Sequence, residues 1–170
     1  MLTVGDYVPD FTVQATSGKN VQLDALKGHQ IVIYFYPKNN TPACIIENQD
    51  FAANYSRFRD QNTLIFGVSR DSLDSHESFK ASQALPFELI SDQDSALCTL
   101  FGVLKEKQLF NKPITTLARS TFLINHNGRL IKTWRDVSIK THVHEVIDYV
   151  ERYHTKITAA LTTVQTPEID

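Results

Sequence analysis

The sequence predicts an α/β domain in which helices cover both faces of a sheet built from buried strands. Three observations carry this reading. Residues 30–36 and the run Asn62-Thr63-Leu64-Ile65-Phe66-Gly67-Val68-Ser69 are almost continuously apolar, as strands buried on both faces are. Segments of helical period lie between and after these runs. Near the end, Asn127-Gly128 separates two short apolar stretches and marks a tight hairpin.

The elements follow in order. Residues 8–15 and 19–23 read as short strands around the turn-forming cluster Ser17-Gly18-Lys19-Asn20, an N-terminal hairpin. Thr41-Pro42 opens a helix, with the threonine as cap and the proline in the first turn. Its period runs through Glu47, Phe51, Tyr55 and Phe58, with Ala52 alongside, to about residue 58. Because Glu47 is polar, the apolar stripe begins one turn later. Ser72 or Asp74 caps a further helix to about residue 84, ended by Pro86. Phe87 to Ile90 is a short strand. Asp92 to Val103 reads as a helix, with Leu97, Leu100, Phe101 and Leu104 at helical spacing. Residues 105–118, rich in Lys, Asn, Thr and Pro, read as a loop. Ser120–Ile124 and Arg129–Trp134 are the strands that flank Asn127-Gly128. Val143, Val146, Ile147, Val150 and Tyr153 form one face of a last helix. Beyond it, Ile157, Ala160, Leu161 and Val164 extend that helix or pack on it, β-branched threonines weaken it, and Pro167 ends it. The expected division is a domain over 1–154 and a C-terminal extension over 155–170, helical or partly disordered.

Size and charge bound the function. A chain of 170 residues with 42% apolar residues suits one domain with its own core. Seventeen basic against nineteen acidic residues give a net charge of −2, with no pull toward nucleic acid or an anionic membrane. No apolar run is long enough to span a bilayer. The N-terminal residues Met1 to Asp6 carry no signal-like pattern, and Cys44 and Cys98 are too few for an extracellular disulfide scaffold. The expected compartment is the cytoplasm.

Cys44 carries the chemistry. It stands three residues after Thr41, in the first turn of the expected helix, near unpaired backbone N–H groups and the positive end of the helix dipole. Both favour a thiolate. A thiolate there serves carbonyl attack, disulfide exchange, metal ligation or attack on peroxide oxygen. Carbonyl attack calls for a histidine base, and none of the six histidines forms a local motif with Cys44. Disulfide exchange calls for Cys-x-x-Cys, but Ile45-Ile46-Glu47 follows. No Cys or His pair has metal-binding spacing. Peroxide attack remains.

Pro37-x-x-x-Thr41-x-x-Cys44 resembles the active-site motif of the peroxiredoxins, and Phe35-Tyr36-Pro37-Lys38 with Thr41-Pro42-Ala43-Cys44 and Glu47 resembles the bacterioferritin-comigratory, or PrxQ, subfamily. Gly67-Val68-Ser69 with Asp71-Ser72 and Ser75-His76, Leu89-Ile90-Ser91-Asp92, Phe101-Gly102-Val103 and Arg119-Ser120-Thr121-Phe122-Leu123-Ile124 agree in the same order. The likeness covers about residues 3–153. It implies a thioredoxin-like three-layer fold, with a central mixed sheet, helices on both faces and an N-terminal β-hairpin. It also implies a thiol-dependent peroxidase acting on hydrogen peroxide and small organic hydroperoxides, with no cofactor or metal. Cys44 would be the peroxidatic cysteine, becoming sulfenic acid. Thr41 would hydrogen-bond the peroxide, Arg119 would supply donors and positive charge, and Pro37 would cover the sulfur. The backbone N–H groups of Cys44 and Ala43 would complete the pocket, Ala43 standing where glycine is common. Tyr36 would wall it and Glu47 would orient an arginine.

Many members of the subfamily carry a resolving cysteine five positions after the first, where this chain has Gln49. Cys98 is the other candidate, either as a resolving cysteine or as a small packing residue. To resolve, its Cα would have to come within about 7 Å of that of Cys44 after local unwinding. A resolving Cys98 implies thioredoxin as reductant; without it the sulfenic acid meets glutathione or glutaredoxin. A thiol–disulfide oxidoreductase and a non-enzymatic peroxide sensor are the alternative functions. The expected state is a monomer or a weak dimer.

Overall fold

The computed structural model describes residues 1–165, with side chains through Leu161. The chain forms β1 (Thr12–Gln14), β2 (Asn20–Gln22), a 3-10 turn (Leu23–Leu26), β3 (Gln30–Phe35), α1 (Pro42–Ala53), α2 (Tyr55–Asp60), β4 (Thr63–Ser69) and α3 (Leu73–Gln83). It continues as β5 (Glu88–Ser91), α4 (Ala96–Phe101), β6 (Leu104–Leu109), β7 (Lys112–Leu117), β8 (Ser120–Ile124), β9 (Leu130–Trp134) and α5 (His142–Gln165). The central sheet has the order β5-β4-β3-β8-β9. β3, β4 and β5 run parallel, whereas β8 pairs antiparallel with both β3 and β9.

Every residue of β3 is buried, as its apolar run requires in the middle of a two-sided sheet. Side chains alternate across it. Ile31, Ile33 and Phe35 join Phe66, Val68, Phe122 and Ile124 in a core closed by the β1–β2 hairpin and α4. Val32 and Tyr34 join Ile65, Leu89 and Leu123 under α1, α2, α3 and α5, whose contributions include Phe51, Phe58, Phe79 and Val146. This is the three-layer thioredoxin-like arrangement, a mixed sheet with helices on both faces and an N-terminal hairpin. No described helix is long and apolar enough to cross a membrane.

Four elements differ from the sequence reading. β1 is shorter because residues 7 and 8 instead meet the β8–β9 turn, Tyr7 bridging Arg129 and Val8 N donating to Gly128 O. The helix expected over 41–58 breaks at Asn54, whose side chain donates to Asp50 O at 2.8 Å, a local bond that competes with the helical ladder. Asp92 does not open α4. Its buried carboxylate accepts Leu97 N at 2.9 Å and Cys98 N at 2.8 Å, so the helix starts at Ala96 on a side-chain cap. The expected loop over 105–118 is the antiparallel β6–β7 hairpin, Leu104 opposite Leu117. Most of it is solvent-exposed, so no buried face imposes an alternation. Its tip, Phe110-Asn111, has φ of 51° and 62° without a glycine to signal the turn. α5 runs on through the 155–165 part of the expected extension; residues 166–170 lie outside the described residues.

Candidate active site

Parallel pairing of β3 and β4 brings their C-terminal ends to one edge of the sheet, so the loop after β3 meets the turn between β4 and α3. The chain leaves β3 at Phe35, crosses the loop 36–41 and enters α1. Thr41 is the extended N-cap residue and Pro42 opens the helix, as the sequence predicts. The Thr41 hydroxyl makes no cap bond; it donates to Lys38 O at 3.0 Å. The first helical bond is Ile45 N to Thr41 O at 2.9 Å, so the amides of Ala43 and Cys44 lie ahead of the helical ladder.

Cys44 is 1% exposed. Arg119, in the link between β7 and β8, reaches it from the sheet side, with Nη2 3.4 Å from Sγ. The other arm, Nη1, donates to Glu47 Oε1 at 3.0 Å. A guanidinium so placed holds two acceptors at a fixed separation, which a lysine cannot do. Burial alone disfavours the Arg119 charge, but the Glu47 carboxylate and the Cys44 sulfur outweigh it and raise the pKa above its usual value. Burial dominates at Glu47 and lifts its carboxyl to about 7 despite the arginine. Its second oxygen, Oε2, is buried with no hydrogen-bond partner. The pair therefore shares charge near neutrality, with Arg119 as the fixed cation.

A second brace holds the helix turn. Asn48 Nδ2 donates to Cys44 O at 2.8 Å, and Asn48 Oδ1 accepts the Tyr34 hydroxyl. Tyr34 stacks on Phe51 with ring centroids 4.2 Å apart. The space for Tyr34 exists because position 67 is glycine: a Cβ there would sit 2.6 Å from Tyr34 Oη.

The structure thus brings Cys44, Arg119 and Glu47 into contact, with Thr41 and Ala43 half-buried at the same helix start. Tyr36 packs in the same core as Cys44, but its hydroxyl turns to Asn39 Oδ1 at 2.6 Å. Pro37 is exposed on the loop. Cys98 lies apart, in the core on the opposite face of the sheet, where burial first and the Asp92 carboxylate second push its thiol pKa up. Both cysteines are free thiols. Among the described residues no histidine ring hydrogen-bonds the Cys44 sulfur. His142 is buried with Nε2 2.6 Å from Thr121 Oγ1, and burial lowers it to about 4, so it stays neutral. A cavity of about 600 Å³ beside β4, lined by Thr12, Val21, Tyr55, Leu64 and Phe87 among others, contains none of these residues.

The sequence reading assigned no role to Tyr34, Asn39, Asn48 or Asp71, nor to His76. Buried Asn39 and His76 and half-buried Asp71 form a cluster behind the loop. The available signal was a mostly polar stretch, Ser69 to His76, following one buried strand while the Cys44 loop followed its neighbour.

Residues 4–133 match the AhpC/TSA family. Among curated proteins, peroxiredoxin Bcp of Xanthomonas campestris is 42% identical over 138 residues, covering 81% of this chain and 86% of the relative. Peroxiredoxin Bcp of Bacillus subtilis is 42% identical over 146 residues, 86% of this chain and 93% of the relative. Among solved structures, the bacterioferritin comigratory protein of Xanthomonas campestris superposes with a TM-score of 0.82 at 39% identity, covering 85% of this chain and 92% of that one.

Proposed function

Because the chain belongs to the AhpC/TSA family and to its Bcp/PrxQ peroxiredoxins, and so is a cysteine-based peroxidase, we propose that Cys44 is the nucleophile that its hydroperoxide substrate meets. The observation that carries this is the Arg119 guanidinium 3.4 Å from Cys44 Sγ, in the first turn of α1. The thiolate attacks the hydroxyl oxygen of the hydroperoxide, an S–O bond forms and the O–O bond breaks. The proton of that hydroxyl ends on the leaving oxygen, giving sulfenate on Cys44 and water or an alcohol. Arg119 stabilises the charge as it moves from sulfur to the leaving oxygen. Since the Thr41 hydroxyl already donates to Lys38 O, its oxygen offers lone pairs and accepts the peroxide O–H. The amides of Ala43 and Cys44 supply further donors, Glu47 fixes the guanidinium, and Tyr36 and Pro37 bound the pocket. The Xanthomonas protein's structures concern alkyl peroxide reduction, which supports small organic hydroperoxides beside hydrogen peroxide as substrates here.

Reduction takes an outside thiol in this reading. With Cys44 and Cys98 packed on opposite faces of the sheet, Cys98 is a packing residue and the sulfenic acid is attacked by an external thiol, releasing water and leaving a mixed disulfide. A second thiol frees Cys44. Glutathione with glutaredoxin fits this route, with thioredoxin as the other donor, and a reducing compartment such as the cytoplasm supplies them. The test is intact mass spectrometry with peptide mapping after one equivalent of peroxide. A gain of one oxygen on Cys44 with Cys98 free is expected. Loss of two hydrogens joining the two cysteines would overturn the external route. Loss of turnover in Cys44→Ser, with the fold kept, separates a peroxidase from a sensor oxidised once.

A further inference from the structure

Behind the loop 36–41 lies a hydrogen-bonded cluster, with Tyr36, Asn39, Ser69 and His76 buried and Asp71 and Ser75 half-buried, whose proton positions are determined by its geometry. Ser69 Oγ donates its hydrogen to Asp71 Oδ2, so toward His76 Nε2, 3.2 Å away, it can only accept. His76 therefore carries its proton on Nε2 and presents a bare Nδ1. Asn39 Nδ2 donates to that nitrogen at 3.3 Å and to Ser75 Oγ at 3.1 Å, while Asn39 Oδ1 accepts the Tyr36 hydroxyl at 2.6 Å. The Asn39 backbone N–H donates to Asp71 Oδ2 at 2.9 Å.

That N–H belongs to the same planar peptide as the Lys38 carbonyl, and in a trans peptide the two point opposite ways. The Lys38 carbonyl is the acceptor of the Thr41 hydroxyl at 3.0 Å. One rigid plate thus spans from the cluster to the group that meets peroxide. Its cluster end is held by Asp71 through the backbone and by Ser75 and His76 through the Asn39 side chain.

We propose that His76 is a positioning residue for peroxide attack: neutral and protonated on Nε2, it holds Asn39 so that the Lys38 carbonyl orients the Thr41 hydroxyl. This rests on the reading of Cys44 and Thr41 given above. Protonating Nδ1 sets a donor against the Asn39 amide. The ring then turns its new N–H to Tyr36 Oη, 3.4 Å away, and Asn39 loses its hold. The charged groups facing His76 are Asp71 on the turn after β4 and Glu77 on α3, which favour the proton, with Tyr36 the titratable group of the loop. Burial outweighs them and keeps the imidazole below its ordinary 6.5.

The experiment uses the reduced full chain. It compares, from pH 5 to 8, the rate of Cys44 oxidation by hydrogen peroxide with the rate of Cys44 alkylation by iodoacetamide. Both need the thiolate, so their ratio cancels its fraction; only the peroxide reaction needs Thr41. In the parent the ratio should fall as pH drops below 6.5. His76→Asn, with an amide oxygen in place of Nδ1 and no titration, should keep the ratio within about threefold at pH 7.5 and remove the acidic fall. His76→Phe fills the ring's space without an acceptor and should lower the ratio about tenfold at every pH. A flat ratio in the parent, an acidic fall retained in His76→Asn, or a parental ratio in His76→Phe would each overturn the proposal. If His76→Phe does not fold, the first two comparisons decide. Normal alkylation with no peroxide reaction in the parent would instead remove the Cys44 reading, and this one with it.

Discussion

Replacing Glu47 with glutamine asks whether burial or pairing governs the carboxyl behind Cys44. The side chain is 1% exposed, with one oxygen 3.0 Å from Arg119 and the other unpartnered. Burial lifts its pKa from 4.5 to about 7. Between those two values the folded protein keeps a proton that the unfolded chain has released, so stability falls as pH rises through that window. At about 1.4 kcal/mol per pH unit, that window costs about 3 kcal/mol by pH 8. Glutamine keeps an oxygen for the Arg119 bond and removes the ionisation. Parent and variant should therefore match within about 1 kcal/mol at pH 5, and the variant should be the more stable by about 3 kcal/mol at pH 8.5. Urea unfolding followed by tryptophan fluorescence and circular dichroism under reductant reads this difference, and the other titrating groups cancel between the two proteins. A variant less stable than the parent at pH 8.5 would refute the reasoning. The ion pair would then outweigh desolvation, as it does where removing one partner strands a buried charge.

Three further substitutions probe the same frame. Arg119→Ala should slow Cys44 oxidation by peroxide about a hundredfold to a thousandfold in stopped-flow assays, the scale of losing a donor aimed at developing charge. An unchanged rate would remove Arg119 from the reaction. Cys98→Ala should cost about 1 kcal/mol in urea unfolding for the small void it leaves, with glutathione-supported turnover within about twofold of the parent. Loss of turnover would make Cys98 a resolving cysteine. Gly67→Ala should cost about 1–3 kcal/mol, since its Cβ would lie 2.6 Å from Tyr34 Oη and 2.8 Å from Leu89 Cδ2. Displacing Tyr34 should also slow peroxide oxidation by releasing Asn48 from the Cys44 carbonyl.

The central sheet was legible because burial on both faces writes itself as an unbroken apolar run, and 30–36 and 62–69 needed no other clue. The helix start at Thr41-Pro42 was legible for a local reason: a proline in the first turn acts within that turn, although the Thr41 hydroxyl turns to Lys38 O and makes no cap bond. The β6–β7 hairpin was not, because strands with no buried face carry no alternation and its Phe110-Asn111 tip carries no glycine. The late start of α4 was hidden for a different reason. Asp92 looks like an ordinary helix opener, and only the fold shows its carboxylate spending both oxygens on amides five and six residues later.

Local order along the chain determined that Cys44 would sit in the first turn of a helix, and the pattern around it resembles the peroxiredoxin motif. What surrounds that sulfur is decided by contacts between residues far apart in sequence. Arg119 and Cys44 meet because β8 lies antiparallel beside β3 and delivers the preceding link to the start of α1. His76 and Asn39 meet because β3 and β4 end on the same edge of the sheet. Cys98 is set apart because α1 and α4, the helices that carry the two cysteines, pack on opposite faces of the sheet and put them in different cores. Spacing in sequence carries none of these distances, since strand order and register, not separation along the chain, set which side chains share a face.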